Sequence, residues 1–434
     1  MRTGVLTCAA ILALALPALA ADAPVPTFSR EVAPILQAKC QSCHRPGEVA
    51  PMSLLTYEQS RPYAKAIKTK VQAGEMPPWF LDRSIGIQKY KNDASLTLAE
   101  LDTLVRWVDG GAPMGDPAHL PPPRQWPAAN GWQLAAQLGR PPDLIVKSKA
   151  WTMPAKGQDQ WWKPIVPSGL GEDRWVRAVE VRPSVKGRKI VHHAVVQVVD
   201  AKPERELGEF AFAEFSIGAY GELYPEDTGK LLLAGSKFHW DIHYHAGGEE
   251  ITDESEMGIY FHPKGYTPKF EVKHVPIGMT GIGGRVGSAG IDIPPNSIAR
   301  HDSFMVLQKP ARIENFKPHM HMRGKAMSMS AIYPDGRYET LAYVDRYNFN
   351  WHTNYVFADD AAPVLPKGTT IHIVSWHDNT TGNRHNPDPN QWVGSGSRSI
   401  DEMTHAHTNM VYLTDAQYEE ILSARKLAAS AKGQ

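Results

Sequence analysis

The chain has 434 residues, and its 46 Lys+Arg balance 46 Asp+Glu for a formal charge of zero. At 42% hydrophobic and 21% charged it is too apolar for wholesale disorder, and it lacks the basic or acidic excess that marks a nucleic-acid or membrane-surface binder. Counts of Gly 35, Pro 35 and Trp 12 suit a loop-rich, β-rich protein of about three domains.

Residues 1–20 have the pattern of an export signal. Arg2 supplies positive charge, Val5 to Leu16 an apolar run, and Ala18-Leu19-Ala20 a small-x-small cleavage site. The run is shorter than the roughly 20 residues that a membrane span requires. The mature chain is therefore expected to be periplasmic or secreted, with no membrane insertion. Cys8 leaves with this segment, so only Cys40 and Cys43 remain, and two cysteines offer no disulfide framework.

Helical periodicity covers 29–37, 57–72 and 97–109. The last begins with Thr97-Leu98-Ala99-Glu100, a capping-box signature, and ends at Gly110-Gly111. Residues 119–145, with Pro121-Pro122-Pro123, read as a linker. From Leu144 onward the apolar period falls to two. Segments 190–199, 270–275 and 370–376 are expected strands, and 415–429 a closing helix. The expected fold class is thus multidomain. A small α-helical cytochrome c-like domain (27–118) and the linker precede two all-β, jelly-roll-like sandwich domains (146–272 and 273–418), with a helical tail at 419–434.

Cys40-Gln41-Ser42-Cys43-His44 is the covalent haem-attachment pattern. Two thiols form thioethers to the haem vinyl groups, and the adjacent histidine reaches the iron. A zinc site would need further Cys or His nearby, and the next is His119. His44 is one expected axial ligand. Met76, in Gly74-Glu75-Met76-Pro77-Pro78, is the expected other, with Met52 and Met114 as rivals.

Of the 18 histidines, 16 follow residue 190. They recur in pairs: His192-His193, His243-Tyr244-His245, His319-Met320-His321 and His405-Ala406-His407. On a strand, i and i+2 share a face, so His319 and His321 suit one ion. Adjacent His192 and His193 point to opposite faces unless the backbone bulges. Spacing alone gives a metal-binding half without ligand sets.

Residues 146–418 resemble the copper type II, ascorbate-dependent monooxygenases, which include dopamine β-hydroxylase, tyramine β-hydroxylase and peptidylglycine α-hydroxylating monooxygenase. Four stretches carry the likeness in the family's order. They are Val191-His192-His193; Asp241-Ile242-His243-Tyr244-His245 leading to Glu256-Met257-Gly258-Ile259; Pro318-His319-Met320-His321 with Arg323-Gly324-Lys325; and Ile400-Asp401-Glu402-Met403. The resemblance implies two coppers facing each other across an open cleft. His192, His193 and His243 would hold the electron-transfer copper, with His245 able to replace or support His243. His319, His321 and Met403 would hold the copper where O2 reacts, so these three are the catalytic candidates. A thioether favours the cuprous form.

The chain departs from the animal enzymes in lacking disulfides and in carrying His405 and His407 where the peptide enzyme recognises its substrate. Lys317 stands near that enzyme's cationic anchor, which would suit an acidic substrate group. Trp351, His352, Tyr355 and Trp376 are candidates for an aromatic pocket. The expected activity is hydroxylation of an activated C–H bond of a small molecule with O2. One covalent haem c would relay single electrons to two coppers from an ascorbate-like reductant or redox protein. The alternatives are a non-catalytic periplasmic electron-transfer or copper-binding cytochrome c protein, and an exported interaction module that binds a ligand without metal.

Overall fold

The computed structural model describes residues 24–199, 211–217, 221–279, 290–396 and 398–432. The expected export signal at 1–20 lies outside them. Among the described residues no helix is long and apolar enough to cross a membrane.

The chain is mostly β, with 35% of residues in strands and 18% helical. One eleven-stranded sheet runs through both β halves. A five-stranded sheet, centred on Val191–Val199 and Lys237–Tyr244, covers it at one end, and a four-stranded sheet, centred on Gly324–Ile332 and Thr370–Asp378, at the other. The first core lies between layers, with Val179 and Val181 of Arg174–Arg182 facing Val196, Phe238, Trp240 and Ile242. The second does likewise, with Ile313, Phe316 and Met410 facing Met327, Met329, Ile371 and Ile373. Strict alternation sets the faces: Phe238, Trp240, Ile242 and Tyr244 are fully buried in the first core, so His243 projects from the opposite face.

The small separate cytochrome-like helical domain is not found. The N-terminal helices are short: Ala33–Lys39, Tyr57–Ser60, Ala64–Gln72 and Leu98–Asp109. The run expected at 57–72 breaks where Pro62 removes a donor. These helices enclose a modest core around Phe28, Leu36, Leu104 and Trp107, and the capping box forms as expected, with Thr97 N donating to Glu100 Oε2 at 2.7 Å and Glu100 N to Thr97 Oγ1 at 3.1 Å. So small a core cannot also bury the intervening apolar run. Trp79, Phe80 and Leu81 instead enter the second β core, and Leu81 and Tyr90 bridge to Val344 and Phe357.

One strand joins the two β halves. Phe270–Met279 pairs in parallel with Thr228–Leu232 of the first half and antiparallel with Thr404–Tyr412 of the second. Its side chains serve both cores, Phe270 and Val272 one and Ile277 the other. The expected linker is docked as well: Gln133–Leu138 is a helix, and buried Glu180 accepts from Gln133 N and Leu134 N, each at 2.8 Å.

Candidate metal centre

Val191–Val199 and Lys237–Tyr244 are antiparallel neighbours, and a bulge interrupts their ladder. His243 pairs with His193, but Tyr244 pairs with Val191, leaving His192 as the extra residue. One inserted residue cancels the side-chain alternation, so His192 and His193 share the outer face with His243. Their ligating nitrogens lie within 4.8 Å of one another, and among the described residues this is the group of His, Cys, Asp and Glu side chains that meets that spacing.

The trio's details suit a cation. His192 Nδ1 and His193 Nδ1 are 3.1 Å apart, a spacing that needs one proton facing one lone pair, or a cation shared by two lone pairs. His243 Nε2 lies 2.9 Å from Asp159 Oδ2, which leaves Nδ1 toward the cluster, and its ring stacks on Trp161 at 4.5 Å. Burial, then the neighbouring His352 and the other imidazoles, pushes His192 down to about 3 and His193 well below its usual range. Burial also lowers His243, against the pull of Asp159. Neutral imidazoles keep their lone pairs available. His245, held through its backbone N–H to Ile190 O, is not in the trio.

The second expected set lies on and just beyond Asn315–Met320. The His319 and His321 rings are 5.4 Å apart and nearly perpendicular. This strand pairs with Thr404–Tyr412, matching His319 with His405 and Met320 with Thr404, and the next positions in that register are His321 and Met403. His321 Nδ1 is 3.0 Å from Asp401 O, which places the ring proton on that nitrogen. Buried Glu402 accepts from His321 N at 2.9 Å and Arg323 N at 2.6 Å, and burial raises its carboxyl to about 7. Met403 O lies 3.4 Å from His377 Nε2. Burial and His352 push His319 well down, and burial takes His321 to about 4.

Among the described residues the two sets lie on either side of one side chain. The buried His352 ring stands between them, with centroids 5.5 Å from His193, 5.8 Å from His192 and 4.9 Å from His319. Phe349 fills the adjoining space, 5.2 Å from His192 and 6.0 Å from His321. Sequence reasoning placed His352 in an aromatic pocket and missed Phe349, Asp159 and Trp161, none of which belongs to a recognisable spacing. Of the other pocket candidates, Tyr355 packs on Trp79 in the second core, Trp351 borders that core and Trp376 meets Tyr343.

His405 and His407 form a buried row behind His319, at 6.0 and 5.9 Å, with His274 beyond His407 at 5.2 Å. Lys317 is buried and paired with Glu214 across the two halves, so it is not presented to an acidic substrate group. Burial alone would raise Glu214, but Lys317 and His352 outweigh it and hold the carboxylate well down.

At the N-terminal end, Cys40 and Cys43 are free thiols on the turn that follows Ala33–Lys39. Burial pushes Cys40 up to about 12, so it rests as a neutral thiol. His44 N donates to Cys40 O at 2.9 Å, and His44 Nδ1 lies 3.3 Å from Met52 O, which leaves Nε2 available. Two free thiols beside an imidazole with one nitrogen open fit covalent haem attachment. Met52 and Met114 pack with Cys40 on the helical core, whereas Met76 is not among the side chains there; the adjacent Gly74 abuts Arg346 of the second β half.

No family model and no curated protein matches the chain. Solved structures that align with it include a chain assigned as an alpha-L-fucosidase from Bacteroides ovatus, 8% identical over 72% of this chain with a TM-score of 0.18. This chain spans 43% of that one's length. The VP2 subviral particle of infectious bursal disease virus is 11% identical over 65% of this chain and 76% of its own, with a TM-score of 0.18. A two-domain protein of unknown function from Bacteroides fragilis is 10% identical over 64% and 98% of the two chains, with a TM-score of 0.14. None of these likenesses reaches a shared fold.

Proposed function

We propose that the chain is an exported copper-dependent monooxygenase, similar to the ascorbate-dependent copper enzymes. In this reading it hydroxylates an activated C–H bond of a small organic substrate with O2, drawing electrons one at a time through a covalent c-type haem. The observation that carries the proposal is the bulge at His192, which gathers three neutral imidazoles one ring away from His319. When bound, two coppers would supply one-electron redox chemistry and O2 activation.

The residues have distinct tasks. His192, His193 and His243 would hold the electron-transfer copper, with Asp159 fixing the His243 ring. His319, His321 and Met403 would hold the oxygen-reacting copper, with Asp401 O orienting His321 and Glu402 pinning the turn. His243, His321 and His352 are buried, whereas His192, His193, His319 and Met403 are half-buried. Cys40 and Cys43 would carry the haem, with His44 as one axial ligand; the expected second ligand, Met76, lies outside the helical core on which Cys40, Met52 and Met114 pack. Residues 1–20 would direct export, and a small reductant or redox protein would supply electrons.

Metal analysis of haem-matured protein, loaded with copper without oxygen and desalted, tests this. Two coppers per haem, with O2 uptake matched by a hydroxylated product, is the expected result. One copper or none would end the monooxygenase proposal. A second reading, an electron-transfer or copper-binding protein without hydroxylation, is favoured by His352 and Phe349 filling the gap. It predicts copper binding with O2 uptake indifferent to any C–H substrate.

A further inference from the structure

Directly after the Cys40–His44 turn, the chain meets the first β half through three buried charges. Glu48 Oε1 lies 2.7 Å from Arg45 Nη2 and 3.2 Å from Arg188 Nη1. The side chains are 4% exposed for Arg45, 2% for Glu48 and 5% for Arg188. Arg188 Nη1 also donates to Gly47 O at 2.7 Å, and its Nη2 to Ala129 O at 2.7 Å. Arg45 Nη1 donates to Pro127 O at 3.1 Å and its Nε to Ser42 O, inside the Cys-x-x-Cys turn, at 3.3 Å. A guanidinium presents a rigid fork of donors, so each Arg grips a carboxylate and backbone carbonyls together.

The far side of this clamp is the trio's own scaffold. Arg188 belongs to the turn Gly187–Lys189, four residues before His192. Ile190, fully buried, accepts from His245 N at 2.8 Å. Both strands that supply the trio are thus tied to the turn holding Arg188. Burying three charges at a junction is a weak source of stability, but it specifies one geometry, since any other leaves a charge without its partner.

We infer that Arg45, Glu48 and Arg188 are positioning residues that dock the Cys40–His44 turn against the strand bearing His192 and His193, and so set the rate of electron transfer between the two centres. The inference rests on the proposed function for its redox partners. In the step concerned one electron leaves reduced haem and reduces one oxidised copper, with no bond or proton exchanged.

The test uses the haem-matured, copper-loaded full chain and the variants Glu48→Gln, Arg188→Met and Arg188→Lys. Haem and copper contents of the unaltered protein are measured first, and absence of either defeats the proposed function rather than the docking. With both present, haem reoxidation after flash reduction should slow about tenfold in Glu48→Gln and Arg188→Met, as the docked fraction falls to about a tenth. Copper content and haem potential should not change. Arg188→Lys keeps the ion pair without the fork and should fall between. An unchanged rate in the first two variants overturns the inference. Amide exchange of 40–54 and 187–193 supplies a readout that needs neither metal. Faster exchange in both segments together is expected for Glu48→Gln, and unaltered protection would show that the triad docks nothing. If Glu48→Gln fails to mature, Arg188→Met, which retains the Arg45–Glu48 pair, decides on the same two readouts.

Discussion

The two histidine sets differ in how the backbone makes them. His192, His193 and His243 are assembled within one antiparallel pair, by a single inserted residue that turns two adjacent side chains to one face. His319 and His321 need no irregularity, because i and i+2 already share a face, and their third partner is expected from a neighbouring strand through Glu402-Met403. The first set is three imidazoles at the edge of the fold, since the exposed Trp161 stacks on buried His243 and Asp159 holds its ring. The second is backed by buried His405 and His407, with half-buried His274 beyond them. Two imidazoles and a thioether suit a cuprous ion, whereas three imidazoles serve both copper oxidation states.

Single substitutions should separate the sets. His193→Ala removes a ligand and should abolish metal binding at the trio while leaving one copper at the other set, as followed by metal titration and electron paramagnetic resonance. Met403→Ala should do the reverse, eliminating hydroxylation while haem and the trio's copper remain, and full turnover would remove Met403 from the site. Asp159→Asn keeps every ligand but withdraws the charge that orients His243. A loss of about 10- to 100-fold in copper affinity is expected, at the trio alone.

Acid should affect both sets in the metal-free protein. His192 and His321 have folded-state pKa values of about 3 and 4, below the 6.5 of an unfolded imidazole. The unfolded chain therefore binds more protons, so the stability these groups allow is present above about 6.5 and is lost as pH falls toward those values. Glu402, raised to about 7 from 4.5, has the opposite slope, with its contribution lost as pH rises through 7. Melting temperatures across pH 4 to 8 should fall on the acid side, and His192→Ala should flatten that limb. The smallest effect is expected far from either set. Thr97→Ala removes the capping hydroxyl and should cost about 1 kcal/mol, visible in denaturant melts, with copper binding unchanged.

What could be read from the sequence was local. The capping box at Thr97 and the strands expected at 190–199, 270–275 and 370–376 each depend on residues a few positions apart, and each appears in the structure. The bulge depends on which residue of Lys237–Tyr244 lies opposite His192, a fact of cross-strand register. His352 entered only as an aromatic-pocket candidate because nothing beside it in the chain marks its place between the sets. The helical domain was misjudged for the same reason. Its short helices were visible, but the destination of Trp79, Phe80 and Leu81 is decided by a core more than 200 residues downstream.

The strand shared by the two halves limits how the space between the sets can change. Phe270–Met279 is paired at its start with the first half and along most of its length with the second, so among the described residues swinging the halves apart would tear a ladder. Access to the space around His352 would then depend on rotation of small groups such as the Phe349 ring, on the timescale of side-chain motion rather than of domain opening.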